Sequence, residues 1–159
     1  MAAPSPIKPV AFNRKAKFDF FILDKFEAGV VLTGAEVKSI REGKINLKDS
    51  FVRILRGEAF LFNCHISPYS KIQGHVELEP TRTRKLLLKR DQIDKLAGMV
   101  GQKGHAIITL SVYFKQGLVK VEIATARGKK MADKRETIKR RIHDRESEAA
   151  IKQHSRKGR

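Results

Sequence analysis

The sequence has no tryptophan and only one cysteine, Cys64, among its 159 residues. A single cysteine excludes an intramolecular disulfide and a cysteine-rich zinc site, and it fits a reducing, cytoplasmic environment. The five histidines also lack the spacing of metal ligands, such as H-x3-H or HExxH. We therefore expect no metal site and no other cofactor.

The amino-terminal segment lacks the apolar stretch of a signal peptide or a membrane span. Residues 1–12 contain Pro4, Pro6 and Pro9 instead, which predicts a disordered leader. The basic segments of the chain lack the Trp, Phe and Leu face that an interfacial helix inserts into lipid, so we expect no membrane partner.

Acidic residues are scarce relative to basic ones. The chain has 34 Lys+Arg against 17 Asp+Glu, which gives a formal charge of +17. A single domain with this charge needs a polyanionic partner, and nucleic acid is favoured over an anionic membrane. The scattered carboxylates are predicted to be salt-bridge partners or acceptors for RNA hydroxyls rather than a general-acid pair. Neither a nucleophile elbow nor a P-loop is present, so nothing requires an enzyme.

Alternating apolar residues predict an all-β fold with small helices, a six-stranded antiparallel OB-like barrel spanning residues 13–127. The first strand is expected to start at Phe18 and to run, long or bulged, to Leu32. The other expected elements are a helix at Gly34–Glu42, two strands within Ser50–Ile66, a strand at Lys85–Lys89, a helix at Arg90–Val100 and a hairpin over residues 106–123 that turns at Gln116-Gly117.

The strand that follows the Arg56-Gly57-Glu58 turn has alternating apolar residues. We predict that Phe60, Phe62, Cys64 and Ile66 share the core face, while Leu61, Asn63 and His65 share the other face. This pattern makes Cys64 a small buried hydrophobe rather than a reactive thiol.

Residues 128–159 differ abruptly in composition, with 12 Lys+Arg and 5 Asp+Glu. Few apolar residues are available to pack, and they form at best one stripe. Asp133 followed by Glu136 has the spacing of a helix N-cap and its N3 partner. Because helix nucleation is costly without a buried face, we predict a basic tail that is disordered when free and helical when bound.

Several stretches resemble the SmpB (small protein B) family, the SsrA RNA (tmRNA)-binding proteins of bacterial trans-translation. They are NRKAKFDFFI, AGVVLTGAEVKSIREGKINLKDSFV, GEAFLFNCHISPY, PTRTRKLLLKRDQIDKL and GKKMADKRE, and the resemblance runs from about Asn13 to Arg135. It implies an OB-type barrel that binds the tRNA-like domain of tmRNA and a tail that enters the empty mRNA channel of a stalled ribosome. It also implies elongation factor Tu as a partner through the tmRNA complex, and a free protein that is a monomer.

The resemblance also implies which residues bind. Arg and Lys would contact phosphates, Glu would accept hydrogen bonds from ribose or base, and Leu87 would either support a loop nucleotide or belong to the core. The implied tmRNA-binding residues are Asn13, Arg14, Lys15, Glu27, Glu36, Lys38, Arg82, Arg84, Lys85 and Leu87. The implied partner of the tail is small-subunit rRNA of the ribosome. The implied ribosome-binding tail residues are Gly128, Lys129, Lys130, Asp133, Lys134, Arg135, Lys139, Arg140, Arg141 and His143.

Four positions depart from residues that are common in that family. Phe18 stands where a His is frequent, Ala35 where Thr or Trp is frequent, and Ala132 where Tyr or His is frequent. An aromatic such as Trp is common where His143 stands, so stacking can survive there but not at Ala132. Two other classes stay open from the residues alone, a general RNA chaperone or ribosome-associated protein and an RNA-processing enzyme.

Overall fold

The computed structural model describes residues 6–69 and 79–157, which fall into two compact units with the boundary after Gly128. The first unit is mostly β-structure and the second is a single long helix. In chain order the elements are β1 (Ile7–Phe12), α1 (Ala16–Asp19), β2 (Phe20–Val30), α2 (Gly34–Arg41), β3 (Ile45–Asn46), β4 (Phe51–Leu55), β5 (Glu58–Phe62), β6 (His65–Ile66), β7 (Arg84–Leu87), α3 (Arg90–Val100), β8 (His105–Lys115), β9 (Leu118–Gly128) and α4 (Met131–Lys157).

Six antiparallel strands close into a ring in the order β8-β4-β5-β7-β2-β9, with β9 pairing back to β8. The predicted six-stranded antiparallel barrel is therefore confirmed. Strand β1 pairs with β8 outside the ring, and β3 and β6 form a separate two-stranded ribbon. Each of the six strands has a paired neighbour on both sides, which limits the edge available for pairing with other chains.

Two hairpin turns hold the register of neighbouring strands. Arg56 and Gly57 have φ values of 50° and 73°, and Gln116 and Gly117 have φ values of 53° and 74°. Positive φ at both central residues is the signature of the two-residue turns whose twist matches that of the flanking strands. Glycine at the second position of each pair adopts this conformation without the steric cost of a side chain.

The structure corrects the prediction of which β5 residues face the core. Ala59 and Leu61 are fully buried, whereas Phe60 and Phe62 are only half-buried on the outer side. Asn63 has a φ of 56°, and this left-handed residue interrupts the alternation after β5. Cys64 and Ile66 therefore return to the core as predicted, although the phenylalanines do not share their face.

The amino-terminal prediction is wrong from Ile7 onward, because β1 pairs antiparallel with β8. Pro9 lies where the register shifts, and β1 is paired on one side only. A proline is tolerated at such an edge or bulge because its missing N–H breaks no required ladder bond. Residues 1–5 of the predicted leader lie outside the described residues. Phe18 belongs to α1 rather than to the first barrel strand, which starts at Phe20 and carries the expected bulge.

Helix α4 forms the second unit. The disorder predicted for the free tail is not shown, since α4 is helical from Met131 to Lys157. Its start also differs from the prediction, because the carboxylate of Asp133 accepts a hydrogen bond from the Lys130 backbone N–H at 3.2 Å. Asp133 is thus the N3 residue rather than the N-cap. No helix in residues 6–69 and 79–157 is long and apolar enough to cross a membrane.

Candidate nucleic-acid interface

The outer face of strands β2, β7 and β9 brings several predicted residues together. Along β2, Ala28 is buried in the core, so Glu27 and Gly29 face outward. The register places Gly29 opposite Leu87 of β7 on one side and opposite Lys120 of β9 on the other. One row of the sheet surface therefore carries an apolar side chain, a glycine and a cation.

Leu87 lies on this surface, which excludes the alternative that it belongs to the core. Its exposure is 55%, while its neighbour Leu86 is 1% exposed. A Cβ atom at Gly29 would lie 3.3 Å from the Cβ of Leu87, so glycine allows the leucine to lie close to the β2 backbone. An exposed leucine resting on a flat backbone offers an apolar platform to a ligand.

This platform forms part of an open groove of about 710 Å³, which we call the β2–β7 groove. Its walls carry more cations than carboxylates, and one of these cations, Lys85, lies 3.1 Å from Glu58. A cationic groove of this kind can follow a phosphate backbone while the leucine contacts a base. The charged lining residues are Glu27, Glu58, Lys85, Lys89, Arg90 and Lys120.

Glu27 is held in place from β8. The hydroxyl of Tyr113 donates a hydrogen bond to Oε2 of Glu27 at 2.5 Å, and Nζ of Lys115 lies 3.3 Å from the same oxygen. The bond from Tyr113, together with Lys115, holds the pKa of Glu27 below its ordinary value of 4.5. Burial and the neighbouring carboxylate raise the pKa of Tyr113, which therefore stays a donor. Glu27 is thus an ionised, oriented hydrogen-bond acceptor in the lining of the groove.

Glu36 and Arg84 form a buried pair, which corrects the prediction that they touch RNA. Their exposures are 5% and 1%. Nε of Arg84 donates to Oε2 of Glu36 at 2.5 Å, and its other two nitrogens donate to the carbonyls of Cys64 at 2.7 Å and Pro80 at 3.0 Å. With all its nitrogens bound to protein, Arg84 fixes the chain that leads into β7 instead of contacting a phosphate.

The carboxylate of Glu36 also completes the capping box of α2. Its Oε1 accepts a hydrogen bond from the Thr33 N–H at 2.9 Å and another from Arg82 at 2.6 Å. Burial alone would raise the pKa of Glu36, but the hydrogen bonds from Arg82, Thr33 and Arg84 hold it below the ordinary value. Of the three charged side chains, Arg82 is the most exposed, at 36% side-chain exposure.

The remaining predicted barrel residues lie apart from the β2–β7 groove. Asn13 and Arg14 line a second concavity, and the Asn13 amide donates to the Thr109 carbonyl at 3.0 Å. The exposed Lys15 lies 3.9 Å from Asp19. The exposed Lys38 lies on α2 with its Nζ 5.5 Å from the Tyr69 ring centroid. The structure therefore gathers Glu27, Lys85 and Leu87 and leaves the other residues on separate patches.

The predicted tail residues occupy the end of β9, the link after it and α4. Gly128 ends β9, and Nζ of Lys129 donates to the Thr137 hydroxyl at 2.9 Å. His143 is exposed, with its Nδ1 3.2 Å from the Ser147 hydroxyl. The basic predicted residues within the helix are Lys134, Arg135, Lys139, Arg140 and Arg141.

Sequence reasoning missed the residues that complete the groove and orient Glu27. Tyr113, Lys115 and Lys120 lie within the predicted hairpin, and no sequence pattern assigns them a binding role. The alternation of β8 and β9 could have placed all three on the outer face. The contact between Glu27 and Tyr113 spans 86 positions, so no local pattern could reveal it.

A closed barrel with a cationic outer groove and a basic helical extension defines a small basic barrel protein of the nucleic-acid-binding class. The family model described as SmpB protein matches residues 10–153. The chain belongs to the SmpB family.

Similar proteins agree with this membership. The SsrA-binding protein of Wolinella succinogenes is 55% identical over 148 residues, which cover 92% of this chain and 98% of that protein. The SsrA-binding protein of Shouchella clausii is 57% identical over 150 residues, which cover 94% and 95% of the two chains. A solved structure described as "tmRNA-SmpB: a journey to the center of the bacterial ribosome" matches with a TM-score of 0.65 and 44% identity, covering 77% of this chain and 86% of that one.

Proposed function

We propose that this chain is a non-enzymatic RNA-binding protein that binds the tRNA-like domain of tmRNA (SsrA RNA). The observation that carries the proposal is the β2–β7 groove, where the exposed Leu87, the cation Lys85 and the oriented carboxylate of Glu27 line one concave surface. The names of the similar proteins support it.

In this proposal the groove binds RNA through three kinds of contact. Cations on β7, α3 and β9 neutralise phosphates, and this part of the affinity depends on salt. Leu87 supports an unpaired base, and Glu27 accepts hydrogen bonds from ribose 2′-hydroxyl or base amino groups. Since a 2′-hydroxyl is absent from DNA, Glu27 also contributes a preference for RNA.

The protein then delivers tmRNA to ribosomes stalled on mRNA that lacks a stop codon. Helix α4 and the basic link before it enter the empty mRNA channel, where Lys129, Lys130, Lys134 and Arg135 contact small-subunit rRNA. Trans-translation tags the nascent peptide and releases the ribosome. Elongation factor Tu joins through the tmRNA complex, and the free protein is a cytoplasmic monomer.

A binding panel tests the proposal. The dissociation constants for the tRNA-like domain of tmRNA, for a tRNA and for rRNA fragments are measured over a series of salt concentrations. We expect the tRNA-like domain to be preferred at moderate salt, because groove contacts add to the salt-dependent term that all RNAs share. Equal affinity for all RNAs would favour the general RNA chaperone instead.

A matched pair of variants tests the groove itself. Leu87→Ala removes the platform and should weaken binding of the tRNA-like domain by about 5- to 30-fold, as expected for about 1–2 kcal/mol of apolar contact. Leu118→Ala is the control, since Leu118 is 59% exposed at the β8–β9 turn and does not line the groove. Equal affinities of the two variants would contradict the assigned role of the groove.

A further inference from the structure

A short chain of hydrogen bonds surrounds Thr137, near the start of α4. Nζ of Lys129 donates to the Thr137 hydroxyl at 2.9 Å, and that hydroxyl donates to the backbone carbonyl of Asp133 at 3.0 Å. A threonine hydroxyl can accept and donate at the same time, so both roles are filled here. The ammonium group of Lys129 is thereby tied to a side chain eight positions further along the chain.

The other residue between β9 and α4, Lys130, is held through its backbone. Its N–H donates to Oδ2 of Asp133 at 3.2 Å, and its carbonyl accepts from the N–H of Lys134 at 3.1 Å. The carbonyl of a helix N-cap residue accepts the first bond of the helix in this way. Lys129 is therefore fixed to the first turns of α4 by its side chain, and Lys130 by its backbone. We call Lys129, Lys130, Asp133 and Thr137 the Thr137 cluster.

The Thr137 cluster covers polar side chains, although apolar ones are close by in the helix. Asp133 and Thr137 are half-buried, whereas Ile138 and Ile142 are 45% and 50% exposed. Covering polar groups while isoleucines stay in water gains little from the hydrophobic effect. The arrangement is thus not explained by apolar packing, and it points to a role of the hydrogen bonds themselves.

Lys129 is the cation whose position depends on the Thr137 hydroxyl. A lysine ammonium carries three donor hydrogens, so a bond to the hydroxyl does not by itself prevent a bond to a phosphate oxygen. A side chain that is already held also loses less conformational entropy on binding than one that rotates freely. Thr137 can therefore strengthen the binding of an anion by Lys129 without touching the anion.

We propose that Thr137 is a positioning residue, whose hydroxyl holds the ammonium of Lys129 where it contacts phosphates of small-subunit rRNA. Thr137 acts through Lys129 and does not itself bind RNA. The inference rests on the proposed function for the identity of the anion. The hydrogen bonds of the Thr137 cluster do not depend on it.

The first test removes the hydroxyl and then restores it. Thr137→Val keeps the branched shape and a similar helix propensity. It should lower peptide tagging on stalled ribosomes by about 2- to 10-fold, as expected for one hydrogen bond. Thr137→Ser keeps the hydroxyl and should restore tagging to within about twofold of the wild type. Affinity for the tRNA-like domain should not change in either variant. Wild-type tagging by Thr137→Val, or no restoration by Thr137→Ser, would overturn the proposal.

A control variant and a double variant show whether Thr137 acts through Lys129. Ser147→Ala removes a hydroxyl of the same helix whose partner is His143, and it should leave tagging within about twofold of the wild type. Lys129→Met keeps the unbranched stem without the ammonium, so adding Thr137→Val to it should cause no further loss. Additive losses in the double variant, or a loss for Ser147→Ala equal to that for Thr137→Val, would contradict the proposed role.

A measurement without the ribosome separates this proposal from the proposed function. Carbon-13 relaxation of the Lys129 Cε methylene in the free, full-length protein reports the motion of its side chain. We expect a restricted side chain in the wild type and in Thr137→Ser, and a more mobile one in Thr137→Val. A wild-type protein that does not support tagging would refute the proposed function, while the relaxation would still decide on Thr137. Equal mobility of Lys129 in the wild type and in Thr137→Val would refute the positioning role.

Discussion

The barrel and helix α4 both carry an excess of positive charge, but they differ in what determines their shape. The barrel is closed by long-range strand pairing around a buried core. Helix α4 exposes its apolar residues, with Ile138, Ile142 and Ile151 at 45%, 50% and 68% exposure. The barrel thus presents positive charge on a preformed surface, whereas α4 presents it on a helix that has no core of its own.

This difference indicates two modes of binding. A preformed groove such as that around Leu87 loses little conformational entropy when a ligand binds, so it can select one RNA shape. A helix without a buried face depends on local hydrogen bonds and on its surroundings for stability. In the proposed function the barrel therefore recognises tmRNA, and α4 acts only when a phosphate-lined channel surrounds it.

The largest effect should come from reversing charge at the start of the tail. The double variant Lys134→Glu, Arg135→Glu should reduce peptide tagging on stalled ribosomes to background, because both residues then repel rRNA phosphates. Affinity for the tRNA-like domain should remain within about threefold of the wild type, since salt screens charges outside the groove. The matched control Arg145→Glu, Lys152→Glu should retain more tagging. Equal loss in both variants would show that only the total charge of α4 matters.

The next effect concerns the buried pair of the barrel. Arg84→Ala leaves Oε2 of Glu36 and two backbone carbonyls without the donors that Arg84 supplies, and should lower the free energy of unfolding by about 3–5 kcal/mol. Arg82→Ala removes a half-exposed donor and should cost about 1 kcal/mol. Urea unfolding monitored by circular dichroism measures both values.

Two further variants check the cause of that loss. Adding Glu36→Gln to Arg84→Ala should restore part of the stability, because it removes a buried charge that only Arg82 and the Thr33 N–H then compensate. Arg140→Ala on α4 is the control from the other region and should change the unfolding free energy by less than about 0.5 kcal/mol. If Arg84→Ala were as stable as Arg140→Ala, the barrel would depend on its buried contacts no more than α4 depends on its exposed ones, which would contradict the account.

The smallest effect is a shift in pH dependence at Glu27. The bond from Tyr113 is the largest cause of its lowered pKa, so Tyr113→Phe should let that pKa rise towards 4.5. If RNA binding needs the ionised carboxylate, affinity falls as pH drops through the pKa of Glu27. The variant should therefore lose affinity at a higher pH than the wild type. Titration of tRNA-like domain binding between about pH 7 and about pH 4 measures this.

The control for this shift is Glu27→Gln, which has no carboxylate to titrate. It should bind more weakly at neutral pH, although the protein becomes more positive, and it should show a flatter response to acid. Adding Tyr113→Phe to Glu27→Gln should then have no further effect on the pH profile. Tighter binding by Glu27→Gln would mean that the carboxylate merely repels RNA.

The ring of strands could be predicted because its determinants are local. Alternating residues mark β8 and β9, and Gln116-Gly117 and Arg56-Gly57 mark the turns. The face of β5 could not be predicted, because the left-handed conformation of Asn63 shifts the alternation, and asparagine adopts that conformation only in some contexts. The prediction of a disordered leader failed for a similar reason. The sequence of β1 has the prolines typical of a disordered segment, but an edge strand tolerates Pro9.

The candidate site was predicted less completely than the fold. The motifs pointed to Glu27, Lys85 and Leu87, which the groove brings together. They also pointed to Glu36 and Arg84, whose burial depends on a pairing 48 positions apart. A charged residue in a motif is read as a surface residue, because isolated buried charges are costly, and only the structure shows that these two neutralise each other.

The most direct test of the account is a chain that ends at Gly128, compared with the full-length protein. The shortened chain should unfold at the same temperature, keep most of its affinity for the tRNA-like domain and fail to support peptide tagging, since the groove and the core lie within the first unit. Loss of folding, or loss of binding by a folded shortened chain, would contradict the division of recognition and ribosome contact between barrel and α4.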